Sequence, residues 1–247
     1  MVAEMREIRL YTNQSLEEGA SVALEPAPAH HLARVLRARP GDRVILFNGS
    51  GLDWQCEISH LDKRGASLAV GPAGNPENES PLTVHLGLCL SKGDRFDWAI
   101  QKSTELGVAS ITPLFSERVE VKLPPERIDK RRQHWQQIVI SACEQSGRAV
   151  VPVVAEPTQL STWAEQQSAD LRLVLHHRQP GALPERPPRS VALLVGPEGG
   201  LAPADLERAA TAGFQNLRLG PRVMRTETAP AAALAVLGSR WGDIAQS

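Results

Sequence analysis

Between residues 71 and 81 the chain reads Gly-Pro-Ala-Gly-Asn-Pro-Glu-Asn-Glu-Ser-Pro, and neither a strand nor a helix of ordinary length is expected to cross it. Proline lacks an amide donor and glycine carries no Cβ, so a run of both interrupts every apolar period. The chain is thereby divided into two stretches of different rhythm. Upstream, short β-favouring runs recur at residues 8–11, 21–24, 43–47, 54–59 and 67–70, with turns at Asn48-Gly49-Ser50-Gly51 and Lys63-Arg64-Gly65. That spacing predicts a small β-barrel. Residues 28–37 alone have helical spacing there, with Leu32, Val35 and Leu36 on one side and His30, Arg34 and Arg37 on the other.

Downstream, apolar runs of strand length alternate with helical stretches, the signature of a mainly parallel sheet covered on both faces. Strands are expected at residues 82–90, 110–114, 171–175 and 191–195. Helices are expected at residues 94–106, ended by Gly107, and at residues 126–145, burying Trp135, Ile138, Val139, Ala142 and Cys143. A proline-rich loop at residues 180–189 and a last helix at 229–237 complete the pattern.

Two turns in this second stretch follow an apolar strand and feed a helix. They are Gly196-Pro197-Glu198-Gly199-Gly200 and Leu219-Gly220-Pro221-Arg222-Val223-Met224. Glycine lets backbone N–H and C=O groups approach a ligand closely, so together they form a cradle. Neither turn is a GxGxxG fingerprint or a GxxxxGK[ST] phosphate loop, and neither pattern occurs elsewhere. The cradle is built for something other than a pyrophosphate.

Composition narrows the partners. The 247 residues, 42% hydrophobic and 22% charged, suit one or two globular domains. A net charge of −1 gives no global attraction to nucleic acid, so any RNA contact must be local. Cys56, Cys89 and Cys143 lie far apart without a CxxC pair, which argues against a zinc site or a disulfide framework and fits a reducing cytoplasm. Glu4, Arg6, Glu7 and Arg9 leave no secretory apolar segment, and no run approaches the ~20 apolar residues of a membrane helix.

The ordered set Arg34-Val35-Leu36-Arg37, Ile100-Gln101-Lys102-Ser103-Thr104-Glu105-Leu106-Gly107-Val108, Ser116-Glu117-Arg118, Ala142-Cys143-Glu144-Gln145-Ser146-Gly147-Arg148, Gly196-Pro197-Glu198-Gly199-Gly200 and the run from Leu219 to Thr228 resembles the bacterial RsmE family. These are 16S ribosomal RNA uridine-N3 methyltransferases of the SPOUT class, and the likeness spans essentially the whole chain. The resemblance implies a PUA-like RNA-binding β-barrel over residues 1–72, a linker over 73–81, and a SPOUT methyltransferase domain over 82–247. That domain would be an α/β parallel sheet with a C-terminal trefoil knot, dimerising with a second copy. The resemblance also implies S-adenosylmethionine in the knot, leaving as S-adenosylhomocysteine, with no metal. The acceptor would be N3 of one uridine, expected at 1498, of 16S rRNA in the small ribosomal subunit. Another structured RNA, or a binding-only RNA module, is the alternative.

By similarity, the donor would contact Leu175 and His176 at a strand end and the turn Gly196, Pro197, Glu198, Gly199 and Gly200. It would also contact Leu219, Gly220, Pro221, Val223, Met224, Thr228 and Ala229. His176 equally reads as a structural histidine. His177 departs from the proline of the family, and Ala202 stands where a polar helix cap is expected, offset in part by Pro203.

Methyl transfer from a sulfonium is an in-line displacement, so its rate rests largely on positioning. The imide N3 of uracil is a poor nucleophile until its proton leaves, and the site must remove that proton or stabilise the anion. Arg225 is the first candidate, a permanent cation able to pair with the imide anion or a phosphate. Glu227 would orient Arg225 or serve the following helix N-terminus, which Thr228 is placed to cap. Glu198 is the alternative proton acceptor, with a purely structural reading beside it. For RNA, His30, Arg34 and Arg37 share a helix face with Arg39 and Arg43 nearby. A second cluster, Arg118, Lys122, Arg127, Lys130, Arg131 and Arg132, is diluted by Glu126 and Asp129.

Overall fold

The computed structural model describes residues 8–62, 65–176, 181 and 183–244. Lys63, Arg64, His177 and Pro180 lie outside the described residues. The chain forms two compact units, Met1–Glu79 with Cys143–Val151, and Ser80–Ala142 with Pro152–Ser247.

In the first unit, five strands pair in the order β1 (Arg9–Tyr11), β3 (Arg43–Phe47), β4 (Asp53–Leu61), β5 (Ala66–Gly74), β2 (Ser21–Ala23). Only β1 and β3 are parallel. Alternate residues such as Val22, Leu46, Ile58 and Leu68 meet in one core. Strand β5 runs through Gly74, so Ala73 and Gly74, expected in the linker, belong to the sheet instead. Pro72 is tolerated because the β4–β5 register slips between Trp54 and Cys56, where no ladder amide is required of it.

The expected helix differs more. An α-turn at Pro26–His30 (α1) passes into π-helical winding over His31–Leu36, and Arg37 closes it in the left-handed conformation at φ 53°. Its amide donates to the Leu32 carbonyl. Extra residues per turn rotate the later side chains off the core face. Leu32 is buried, but Val35 is 63% exposed and Leu36 39%, against the expected three-residue apolar face.

The motif at residues 142–148 serves this unit structurally. Glu144 accepts the Tyr11 amide (3.0 Å), and Arg148 is buried with its guanidinium on Glu79. Burial pushes the Glu144 carboxyl up, against the lowering effect of the Tyr11 amide. The folded pKa therefore lies above the unfolded one, and this group's contribution to stability falls as pH rises through the ordinary carboxylate range to the raised value. Glu144→Gln keeps an acceptor for Tyr11, so it is expected to flatten that dependence and to raise the thermal midpoint above that of wild type at about pH 8. Thermal unfolding followed by circular dichroism from about pH 4 to about pH 8 checks it. Burial also holds the Cys143 and Cys89 thiols up at about 12, which makes both poor nucleophiles.

The second unit is a parallel sheet ordered β12 (Gln215–Leu217), β10 (Leu171–Leu175), β11 (Ser190–Val195), β6 (Thr83–Cys89), β7 (Ser110–Phe115), β8 (Val153–Val154). The two-residue β9 (Thr158–Gln159) also pairs with β7. Helices α2 (Arg95–Glu105), α3 (Pro125–Ser146), α4 (Leu160–Glu165), α5 (Pro203–Thr211) and α6 (Thr228–Trp241) connect or follow the strands. The central strands β6 and β11 are mainly apolar, as burial on both faces requires: Leu86 to Cys89 and Val191 to Val195 are all buried, and the polar residues Thr83, His85 and Ser190 fall in the first halves of the strands. On α3, Trp135, Val139 and Ala142 are buried as expected; Ile138 is only half-buried, and Ile140 replaces it inside. Trp135 packs on Phe96 of α2 with ring centroids 4.8 Å apart.

Candidate active site

Because β10, β11 and β12 are parallel neighbours, Leu175, Val195 and Leu217 end side by side at one edge of the sheet. Chains leaving such an edge separate and leave a crevice, the usual ligand position in open α/β sheets. A cavity of about 360 Å³ opens there, within the range of small-molecule sites. Leu175, Val195 and Leu217 are part of its lining, and His176 adds to the wall while its amide donates to the Leu217 carbonyl (3.0 Å).

One side is the turn after β11. Gly200 takes φ +69° and donates its amide to the Pro197 carbonyl (2.8 Å), turning the chain sharply. Gly196, Pro197, Glu198 and Gly200 face the cavity. Gly199 does not: its carbonyl accepts Arg118 Nη1 (3.1 Å). The other side is the segment after β12, from which Leu219, Gly220, Val223, Met224 and Ala229 line the cavity and Pro221 does not. Arg218 Nε donates to the Gly220 carbonyl (3.1 Å), fixing the turn that Gly220 makes at φ +71°.

Arg222, Arg225, Thr226 and Glu227 bring the polar lining. Arg225 is exposed, and its carbonyl accepts the amides of Thr228 and Ala229 (both 3.0 Å), which starts α6. Thr228 was expected to cap that helix; it is instead the first helical residue, preceded by Glu227, and it faces an adjoining cavity. Thr226 is buried, and sequence reasoning gave it no role.

Residues far away in sequence hold the first turn. Glu198 accepts the Lys92 amide (2.9 Å) and pairs with Arg95 Nη1 (3.2 Å) at the start of α2. A carboxylate already matched to a cation and an amide is a tether before it is a base. Asp205, almost fully buried, accepts the amides of Ala202 (3.3 Å) and Glu117 (3.2 Å). It thus supplies from the third position of α5 the cap that Ala202 lacks. The motif Ser116-Glu117-Arg118 is therefore a clamp on the glycine-rich turn: Glu117 through its amide, Arg118 through its guanidinium. Arg95, which lines the cavity, had no role in the sequence reading.

The candidate RNA-contacting residues His30, Arg34, Arg37, Arg39 and Arg43 are all exposed in the first unit. In the second cluster, Arg131 lies 3.9 Å from Asp97 and Arg132 lies 3.9 Å from Asp129. Among the described residues, no group of three or more His, Cys, Asp or Glu side chains is arranged to hold a metal ion, and no helix is long and apolar enough to cross a membrane.

Residues 78–238 match the model of an RNA methyltransferase domain, and residues 25–70 that of an RNA methyltransferase PUA domain. A Legionella pneumophila methyltransferase structure in complex with the bound cofactor SAM superposes with a TM-score of 0.93 at 38% identity, covering 97% of this chain and 100% of that one. The ribosomal RNA small subunit methyltransferase E of Neisseria gonorrhoeae, bound to S-adenosyl methionine, superposes at 0.91, also 38% identical, over 96% and 99%. The protein of the same name from Buchnera aphidicola subsp. Schizaphis graminum is 33% identical over 96% of this chain and 97% of its own. The fold is thus that of an RNA methyltransferase. The chain belongs to the ribosomal RNA small subunit methyltransferase E family.

Proposed function

We propose that this protein methylates N3 of a single uridine of 16S ribosomal RNA in the small ribosomal subunit, expected to be uridine 1498, with S-adenosylmethionine as donor. The observation that carries the reading is the cavity at the ends of β10, β11 and β12, walled by two glycine-containing turns and flanked by Arg225 and Glu227. Its size and its mixed lining of apolar strand ends, backbone and charged side chains suit a nucleoside joined to an amino acid. Bound there, S-adenosylmethionine supplies a sulfonium methyl: the bond from N3 to carbon forms as the carbon–sulfur bond breaks, leaving S-adenosylhomocysteine and 3-methyluridine. The N3 proton must pass to an acceptor.

The chain's own residues divide the work. The turns at Gly196–Gly200 and Leu219–Met224 hold the donor mainly through backbone groups, with Leu175, His176 and Ala229 contributing at the edges, whereas Thr228 lines the adjoining cavity. Arg225 offsets the negative charge that develops on the imide, and Glu227 orients it or takes the proton. Glu198, tied to Arg95, shapes the turn. RNA binding falls to residues 1–72 through His30, Arg34, Arg37, Arg39 and Arg43, followed by a linker at 73–81 whose first two residues extend strand β5, and by a homodimerising, trefoil-knotted methyltransferase domain at 82–247, acting in the cytoplasm. N3 lies on the Watson–Crick edge, so the target base must be unpaired or extruded.

The test is transfer of radiolabelled methyl from S-adenosylmethionine to small subunits and to naked 16S RNA from cells lacking the enzyme, with mass mapping of the product. Label recovered as 3-methyluridine at one position is expected. Label on another atom or another RNA would redirect the reading to a different acceptor; donor binding with no transfer to any RNA would leave a binding module. Separately, Gly220→Ala forces an L residue into the left-handed region at a cost of about 1 kcal/mol. Nothing lies within 4 Å of the added Cβ, so strain alone acts. In the free variant the turn can relax out of this conformation and must readopt it to bind, so the expected result is donor affinity lowered about fivefold by calorimetry, with a thermal midpoint within a few degrees of wild type.

A further inference from the structure

A second cavity, of about 680 Å³, adjoins the first: Arg95 and Glu227 line both, and Lys92, Gly93, Asp94, Trp98 and Thr228 complete it. Trp98 is on the opposite side of α2 from the buried Phe96, Ala99 and Ile100, and it is 43% exposed. A large aromatic ring left open at the wall of a polar crevice is placed to stack on a planar ligand. Each of the two cations here already has a carboxylate partner. Lys92 pairs with Glu120, whose carboxyl it holds below the usual range, and Arg95 pairs with Glu198. What remains for a ligand is the indole face, with the Asp94 carboxylate at the start of α2 and the Glu227 carboxylate and Thr228 hydroxyl at the wall shared with, or next to, the donor cavity. That chemistry fits an uncharged planar ring bearing an imide edge and does not favour a phosphate group.

We propose that this cavity receives the extruded pyrimidine, with Trp98 as its stacking platform and its N3 edge turned toward Glu227 and the donor cavity. The inference rests on the methyltransferase reading above and adds to it the place of the acceptor base. Stacking of one base on an aromatic side chain, when lost, weakens binding by roughly tenfold to a hundredfold.

The full-length protein, Trp98→Ala and Trp98→Phe are to be compared in methylation of small subunits at saturating donor, with S-adenosylhomocysteine affinity measured by calorimetry. Trp98→Ala is expected to raise the KM for the subunit roughly tenfold to a hundredfold with donor affinity unchanged, and Trp98→Phe to recover most of the loss. A readout independent of turnover is tryptophan fluorescence titrated with a short uridine-containing oligoribonucleotide in the presence of S-adenosylhomocysteine. Quenching in wild type that disappears in Trp98→Phe supports the site even if the wild type methylates no ribosomal RNA, in which case only the reaction assigned above fails. An active wild type with an unchanged KM in Trp98→Ala overturns the inference. So does a change in oligomeric mass without a change in KM, which would make Trp98 a contact between copies.

Discussion

Replacing Arg225 by alanine is expected to lower kcat for methyl transfer about a hundredfold to a thousandfold while leaving the thermal midpoint within a degree or two of wild type. Arg225 is exposed and lines the cavity, and the contacts described for it at the start of α6 are made by its carbonyl, which alanine keeps. The side chain can therefore be removed without disturbing the helix. The imide anion, by contrast, exists only as the proton leaves, so a cation paired with it acts in the transition state and affects kcat more than binding. Calorimetric affinity for S-adenosylhomocysteine separates this from a role in gripping the donor carboxylate. If affinity falls with activity and saturating donor restores the rate, Arg225 is a binding residue. Arg225→Lys keeps the charge but not the planar fork, and is expected to retain a fraction of the activity.

How far the sequence revealed this arrangement depends on the length and locality of each signal. The strands β3, β6, β10 and β11 were legible because mainly apolar segments of five to seven residues announce themselves even when one charged or polar residue interrupts them. β8, β9 and β12 were not, because two or three residues carry no period. The helix near His31 was legible as a helix but not in its winding, and the π-turns turn Val35 and Leu36 outward. The two turns of the cavity stood out through glycine and proline, which encode backbone geometry locally. Their supports did not. Glu198 reaches Lys92 and Arg95 across 106 and 103 residues, and Asp205 reaches Glu117 across 88. A charged side chain on a helix looks the same in sequence whether it faces water or clamps a loop. The runs Ser91-Lys92-Gly93-Asp94-Arg95 and Ser116-Glu117-Arg118, polar segments directly after the strands β6 and β7, were the available clue.

The largest structural effect is expected at Arg148, in a motif that the family resemblance brought to notice and that the structure assigns to folding. Its guanidinium grips Glu79 through Nη2 (2.6 Å) and Nε (3.1 Å), its carbonyl accepts Arg9 Nη2 (3.3 Å), and Arg9 in turn forms an ion pair with Asp53. The Arg148 side chain is 6% exposed and that of Glu79 is 32%. Removing one partner of a buried pair costs about 3–5 kcal/mol, and because Glu79 can regain water, the lower end applies. Arg148→Ala is therefore expected to destabilise the protein by about 3 kcal/mol, a fall of roughly 6–12 °C in thermal midpoint for a chain of this size. Arg148→Lys presents a point charge that cannot make both contacts at once and should recover less than half of the loss. The cavity proposed for the donor is built entirely from the second unit, so affinity for S-adenosylhomocysteine well below the melting temperature should be unchanged. A midpoint shift below about 2 °C would show that Glu79 and Arg148 gain little over their hydrated states, as exposed pairs do. Lost affinity in a protein that is still folded would instead place Arg148 in the machinery of the reaction.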